Sequence, residues 1–291
     1  MRPPEARRGG WRRAPSSSPL ACLRSCFFCC APPGTAAAAN KALPRGFDID
    51  DSVSVFEINI RLLGGLLAGH QLAVDPVLGI YGRPGGHEQG AEKGGAAAAH
   101  HQRPDEDGND SDDGGVGGGD GAPYYDGSLL RLAVDLGERL LPAFETPTGI
   151  PFGTVNLRRG VPKGETPISS LAGAGSLSLE LTVLSDLSGR PEFGARGQGA
   201  ALALLGRATE LGLHGKHVNV RSGKWSESVA GIGSNADSFY EYLLKMYLLF
   251  GGDEWWRAFV GALGGVNAHM VHGDWFADVR EETKDTGLTA C

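Results

Sequence analysis

Six apolar stripes at helical spacing, each bounded by glycine or proline, constrain this chain most. The first lies within 52–75, where Phe56, Ile60, Leu63 and Leu67 recur three or four apart and so share one helix face. Ser52 or Ser54 can cap its start, and Asp75-Pro76 ends it because proline cannot continue a helix. Ser128–Leu141 follows with Leu129, Leu132, Leu136 and Leu140, and stops at Pro142. A third helix starts at Ser169 or Ser170, carries Leu177, Leu181 and Leu184, and ends at Gly189. Pro191–Glu210 is a fourth, softened by Gly194, Gly197 and Gly199. Ala236–Phe250 is a fifth, with Tyr240, Leu243, Leu244 and Tyr247. Asp253–His269 is a sixth, opening on the acidic residues that a helix dipole favours. Extended sequence is confined to Thr154–Leu157 and to a small hairpin over His217–Trp225 that turns at Arg221-Ser-Gly223. The pattern predicts an all-α fold of stacked helical hairpins.

Not all of the chain belongs to that fold. Of 291 residues 46 are glycine, and the excess sits in low-complexity tracts. Residues 1–46 open on Arg2, Arg7, Arg8, Arg12 and Arg13, then turn moderately apolar. A secretory signal, a transit peptide and an unstructured terminus all fit that composition. Residues 77–123 hold glycine, alanine and acidic runs with little apolar surface, and read as a disordered insertion. His87, His100, His101 and the sequon Asn109-Asp-Ser111 fall inside it. The folded body is therefore 47–76 joined to 124–291.

Net charge of −7 argues against a nucleic-acid partner, since phosphate binding needs a basic face. The five cysteines (Cys22, Cys26, Cys29, Cys30 and Cys291) lie outside the periodic body, which disfavours a zinc site or a disulfide core. No apolar run reaches the ~18 residues of a membrane span.

Three polar positions stand out. Glu57 and Arg61 lie four apart on the first helix and can pair, beside Gly64 and Gly65, which leave that helix thin enough for a backbone or ligand to come close. Asp237 opens the fifth helix after the loop Gly231-Ile-Gly233. Glu180 sits among leucines on the third, either exposed or buried against an arginine. Taken singly, each also reads as an ordinary ion pair, a helix cap or a solvated position. No P-loop, G-x-S-x-G or H-E-x-x-H motif occurs.

Taken in order, longer motifs say more. Val55-Phe-Glu-Ile-Asn-Ile-Arg-Leu-Leu-Gly-Gly-Leu-Leu67, Leu140-Leu-Pro-Ala-Phe144, Thr148-Gly-Ile-Pro-Phe-Gly-Thr-Val-Asn-Leu157 and Gly233-Ser-Asn-Ala-Asp-Ser-Phe-Tyr-Glu-Tyr-Leu-Leu-Lys245 follow one another. Together they resemble the class I α-1,2-mannosidases of glycoside hydrolase family 47, and within it the endoplasmic-reticulum degradation-enhancing mannosidase-like branch. The resemblance covers roughly 47–76 and 124–283. It implies an (α/α)7 barrel, a calcium ion at its base, and inverting hydrolysis of α-1,2-linked mannose. It implies Glu57 as general acid, Arg61 as a substrate-holding residue and Asp237 as a catalytic aspartate. It assigns no metal ligand in this chain.

Departures from the family pattern are equally legible. The helix expected upstream of Phe56-Glu57 is replaced by the basic, cysteine-bearing stretch, and Ser169-Ser170 stands where the branch carries cysteine and threonine. The chain stops at Cys291, before the family's second catalytic glutamate and its calcium-holding threonine. The expectation is a partial barrel, truncated at both ends, with exposed apolar faces. The implied function is trimming of high-mannose N-glycans on misfolded glycoproteins, in quality control and associated degradation in the endoplasmic reticulum. The implied partners are those glycans and quality-control proteins. The alternative is a fragment that binds glycan or acts as an adaptor without cleaving. A helical scaffold with ion-paired acids is the third reading.

Overall fold

A computed structural model of the chain describes residues 46–81, 125–227 and 229–280. The cysteines, the sequon, the histidines of the insertion and most of 1–46 and 77–123 lie outside those residues.

The described residues are mostly helical. β1 (Ser52–Ser54) leads into α1 (Val55–Ile58), which runs through a π-helical turn (Asn59–Leu63) into α2 (Gly64–Val74). Next come α3 (Ser128–Leu140), a 3-10 turn (Leu141–Phe144), β2 (Thr154–Asn156) and β3 (Ile168–Ser170). The helices α4 (Leu171–Gly175), α5 (Ser178–Ser188) and α6 (Pro191–Leu205) follow. After them stand β4 (His217–Asn219), β5 (Val229–Ala230), α7 (Asp237–Phe250), α8 (Asp253–His269), β6 (Val271–His272), β7 (Trp275–Phe276) and β8 (Val279–Arg280).

Three helical hairpins, α2–α3, α5–α6 and α7–α8, stand side by side. The α2, α5 and α7 helices pack in sequence and form one wall. One core fills the space between the first two hairpins, with Leu63, Leu66, Leu136, Leu181, Leu184 and Phe193. A second lies around α4, α6, α7 and α8, with Leu171, Leu204, Phe239, Leu243, Met246 and Trp255. Each such side chain contributes about 1.5–3 kcal/mol by leaving water.

Several boundaries differ from the periodicity, each for a physical reason. The first helix starts at Val55, because Ser52–Ser54 pairs antiparallel with Thr154–Asn156. Ser54 is the cap: its hydroxyl accepts from the Glu57 N–H at 3.3 Å. The third helix is two. Ser169 lies in β3, Ser170 caps α4 by accepting from the Gly173 N–H at 2.9 Å, and the chain breaks at Ser176 before α5. The fourth ends at Leu205 rather than Glu210. The turn at Arg221–Gly223 is present, with the Gly223 N–H donating to Asn219 O at 2.7 Å. Its first run pairs with β3, and its second pairs back onto the first through the Val218–Trp225 bridge, with the Asn219 N–H donating to Lys224 O at 2.8 Å and the Ser226 N–H to His217 O at 2.9 Å. The pairs β5–β8 and β6–β7 near the end of the described chain carried no sequence signal.

Glycine sets the closest helix approach. A Cβ on Gly197 of α6 would lie 3.0 Å from Ser178 Cα and 3.1 Å from Leu177 O, both backbone atoms that cannot swing away. On the same helix, a Cβ on exposed Gly199 would meet nothing within 4 Å. Gly197→Leu should therefore force α5 and α6 apart and cost about 2–3 kcal/mol or more, while Gly199→Ala should raise stability by up to about 1 kcal/mol through helix propensity. Urea unfolding midpoints of the two variants check both signs.

Candidate active site

The loops gather at one end of the wall, where α1, α4 and α7 begin. The Val55 N–H donates to Gly153 O at 2.9 Å, tying α1 to the loop Glu145–Gly153. Thr148 Oγ1 donates to Val220 O at 2.5 Å, tying that loop to the turn after β4. The Ala172 N–H in the first turn of α4 donates to Asn235 O at 2.8 Å, and Ser176 Oγ donates to Ser238 Oγ at 2.8 Å. Asn235 has φ of 73°. Asparagine tolerates that left-handed conformation better than most residues, and it aims the carbonyl at α4.

The predicted side chains stand at this end. Glu57 lies in the first turn of α1 and pairs with Arg61 through Oε2 and Nε. The side chains are 38% and 46% exposed, so both reach solvent. The hydrogen bond and charge of Glu57 raise the Arg61 pKa above its ordinary value. Asp237 is the first residue of α7, where its N–H donates to Gly233 O at 3.0 Å and its Oδ1 accepts from the Ser238 N–H at 2.8 Å. Asp237 is exposed, and it also lines a cavity of about 190 Å³ walled by Tyr240, Phe259, Leu263, Val266 and Phe276.

Glu180 corrects both expectations made for it. It is neither exposed nor paired with arginine. It is 9% exposed on α5, accepting from Asn59 Nδ2 at 2.8 Å and from the Tyr242 hydroxyl at 2.9 Å. Burial raises its pKa above the ordinary value, against the pull of those hydrogen bonds and the Lys245 charge. Burial and the Glu180 charge likewise push the Tyr242 phenol up. The thin side of the helix at Gly64 faces this acid: a Cβ there would lie 3.6 Å from Glu180 Cγ. Asn59 and Tyr242 were not singled out in the sequence. Asn59 as a polar residue in an apolar stripe was the available signal.

No described residue is assigned to the calcium ion that the resemblance implies. Among the described residues no three His, Cys, Asp or Glu side chains gather in a way that could hold a metal ion. No described helix is long and apolar enough to cross a membrane.

A wall of helical hairpins with carboxylates at the helix starts defines the class, and comparison with known proteins gives the family. The model of glycosyl hydrolase family 47 matches residues 35–286. This chain belongs to that family. It is 39% identical over 237 residues to alpha-mannosidase I MNS4 of Arabidopsis thaliana, covering 81% of this chain and 32% of that one. It is 36% identical over 230 residues to ER degradation-enhancing alpha-mannosidase-like protein 2 of Homo sapiens, covering 79% and 33%. The alpha-1,2-mannosidase from Trichoderma reesei superposes with a TM-score of 0.60 at 26% identity, covering 87% of this chain and 48% of that one. The chain thus spans about a third of the length of these sequence relatives.

Behind α7 lies His214, 2% exposed, with its ring edge against Phe239 and Tyr240 at centroid distances of 5.4 and 6.0 Å. Burial lowers its pKa to about 4. Unfolded, it takes up a proton near its ordinary 6.5. Between those values the unfolded chain binds more protons, so stability is full above the unfolded pKa and falls as pH drops toward the folded one, by about 3 kcal/mol. Glu180, raised by burial, works in the opposite sense as pH rises. The difference between wild type and His214→Phe isolates the histidine. Urea midpoints at pH about 7 and about 4.5 should show a smaller acid loss in the variant.

Proposed function

We propose that this chain carries part of the site of an α-1,2-mannosidase-like glycoside hydrolase that trims mannose from high-mannose N-glycans by inversion. The helical wall is read as an arc of an (α/α)7 barrel. The supporting observation is the meeting of three helix starts, which brings the Glu57–Arg61 pair and Asp237 to the same end of the wall. Inverting hydrolysis needs one carboxyl group to protonate the leaving oxygen and a second to activate water on the opposite face of the sugar. Glu57 is the proton donor, Asp237 the carboxylate facing water, and Arg61 the residue that holds a sugar hydroxyl. A role in glycoprotein quality control and associated degradation in the endoplasmic reticulum is supported by the names of relatives described as ER degradation-enhancing alpha-mannosidase-like proteins.

The test is release of free mannose from a high-mannose oligosaccharide. Glu57→Gln is nearly isosteric and half-exposed, so it should cut turnover by about a hundredfold or more with an unchanged thermal midpoint. Wild-type turnover in that variant would refute the acid assignment. Failure of the wild-type chain to release mannose, with glycan binding that Arg61→Ala abolishes, would favour the binding or adaptor reading. No glycan binding at all would leave a helical scaffold.

A further inference from the structure

One buried acid joins the two elements that carry the proposed site. Glu180 Oε2 receives Asn59, which lies between Glu57 and Arg61 in the chain. Glu180 Oε1 receives Tyr242, on the helix that Asp237 opens. The two oxygens thus reach separate helices, one on each side of α5. A hydrophobic side chain of similar volume would fill the same space without the desolvation cost of a carboxyl group.

The local structure is bent toward this contact. The helix through Asn59 widens into a π turn over Asn59–Leu63, a distortion often found at functional sites. Asn59 itself is 0% exposed, and its Oδ1 is buried without a hydrogen-bond partner. The amide is therefore oriented by Glu180 through its nitrogen, at the expense of an unmet oxygen. Gly64, one turn further on, faces the same side chain, and a Cβ there would touch Glu180 Cγ at 3.6 Å.

We propose that Glu180 is a positioning residue: through Asn59 and Tyr242 it fixes the turn bearing Glu57 and Arg61 relative to the helix bearing Asp237. This rests on the assignment of Glu57 and Asp237 as the reacting carboxylates. Glu180 is too deeply buried to meet a sugar itself. Its effect is on the separation and aim of two groups on different helices, and a misplacement of about 1 Å can cost about a hundredfold in rate.

The experiment compares substitutions in the clasp with one in the neighbouring core. Tyr242→Phe keeps the ring over which Lys245 Nζ sits at 5.2 Å and removes only the hydroxyl. Leu243→Ala, one residue on and 1% exposed, destabilises α7 by a cavity and leaves the clasp intact. In mannose release, Tyr242→Phe should lower kcat about tenfold or more with KM within about threefold, and Leu243→Ala should change neither as much. Glu180→Gln keeps an acceptor for Tyr242 and offers a donor to Asn59 Oδ1, so it should stay within about threefold of wild type where Glu180→Leu does not. Loss of activity in Glu180→Gln equal to that in Glu180→Leu would make Glu180 a chemical participant and overturn the proposal. Amide hydrogen exchange gives a readout free of turnover: exchange over Glu57–Leu63 should speed up in Tyr242→Phe and not in Leu243→Ala. Equal exchange in the two variants would overturn the coupling. If the wild-type chain releases no mannose, the mannosidase reading falls and the exchange result alone decides the coupling.

Discussion

A carboxyl group sealed between three helices is the interaction on which the wall depends. Taking such a group out of water costs several kcal/mol, and a hydrogen bond involving a charged partner returns about 1.5–3 kcal/mol. Glu180 receives two of these, from Asn59 and Tyr242. Neither alone offsets burial, so α5 has one rotation and one depth at which both neighbours are met. Rotating α5 by a single residue would swing the acid about 100° and leave all three polar groups unpaired in an apolar core. The leucines around it exclude water but specify no such register, since hydrophobic contact is non-directional.

The same end of the molecule shows how backbone groups at helix starts are satisfied. The first N–H groups of a helix have no partner within it. Ser54 supplies one for α1, Ser170 one for α4, and Asn235 turns a carbonyl onto α4. Each of these partners comes from a loop or strand that also touches a neighbouring element, so capping and assembly are one event. The Ser176–Ser238 contact and the Val55–Gly153 bond belong to the same mesh. Helix starts drawn together in this way point partial positive charge into one region, where Glu57 and Asp237 gain from it.

Helix content was legible because it rests on local periodicity. The stripe of Leu129, Leu132, Leu136 and Leu140 is buried along its length, and Asp253–His269 is helical over its whole expected span. What local periodicity lacks is long-range pairing. Ser52–Ser54 looks like helix until Thr154–Asn156, a hundred residues away in sequence, claims its backbone as a strand. The break at Ser176 has a similar origin, because its hydroxyl is committed to Ser238. Glu180 could be flagged as a polar residue among leucines, but its partners lie 121 and 62 residues away. The proposed site was legible in part through motif order. The link between its two halves was not, since Asn59 reads as a helix interior residue and Tyr242 as one more aromatic on a stripe.

The division between rim and interior also separates chemistry from stability. Glu57, Arg61 and Asp237 stand where water reaches them, and their side chains add to the helix starts only an exposed ion pair and the exposed Asp237–Ser238 hydrogen bond. Exposed pairs contribute at most about 1 kcal/mol, so these groups are replaceable without loss of the fold. Glu180, Asn59 and Tyr242 occupy the opposite condition: buried, hydrogen-bonded through Glu180 and costly to alter. A wall built this way can hold reacting groups on an open edge while their spacing is set by a part of the core that substrate never touches. Both requirements meet in one short segment. Glu57 and Arg61 face out and Asn59 faces in, and the widened π turn of Asn59–Leu63 lets one stretch of helix serve the rim and the clasp together.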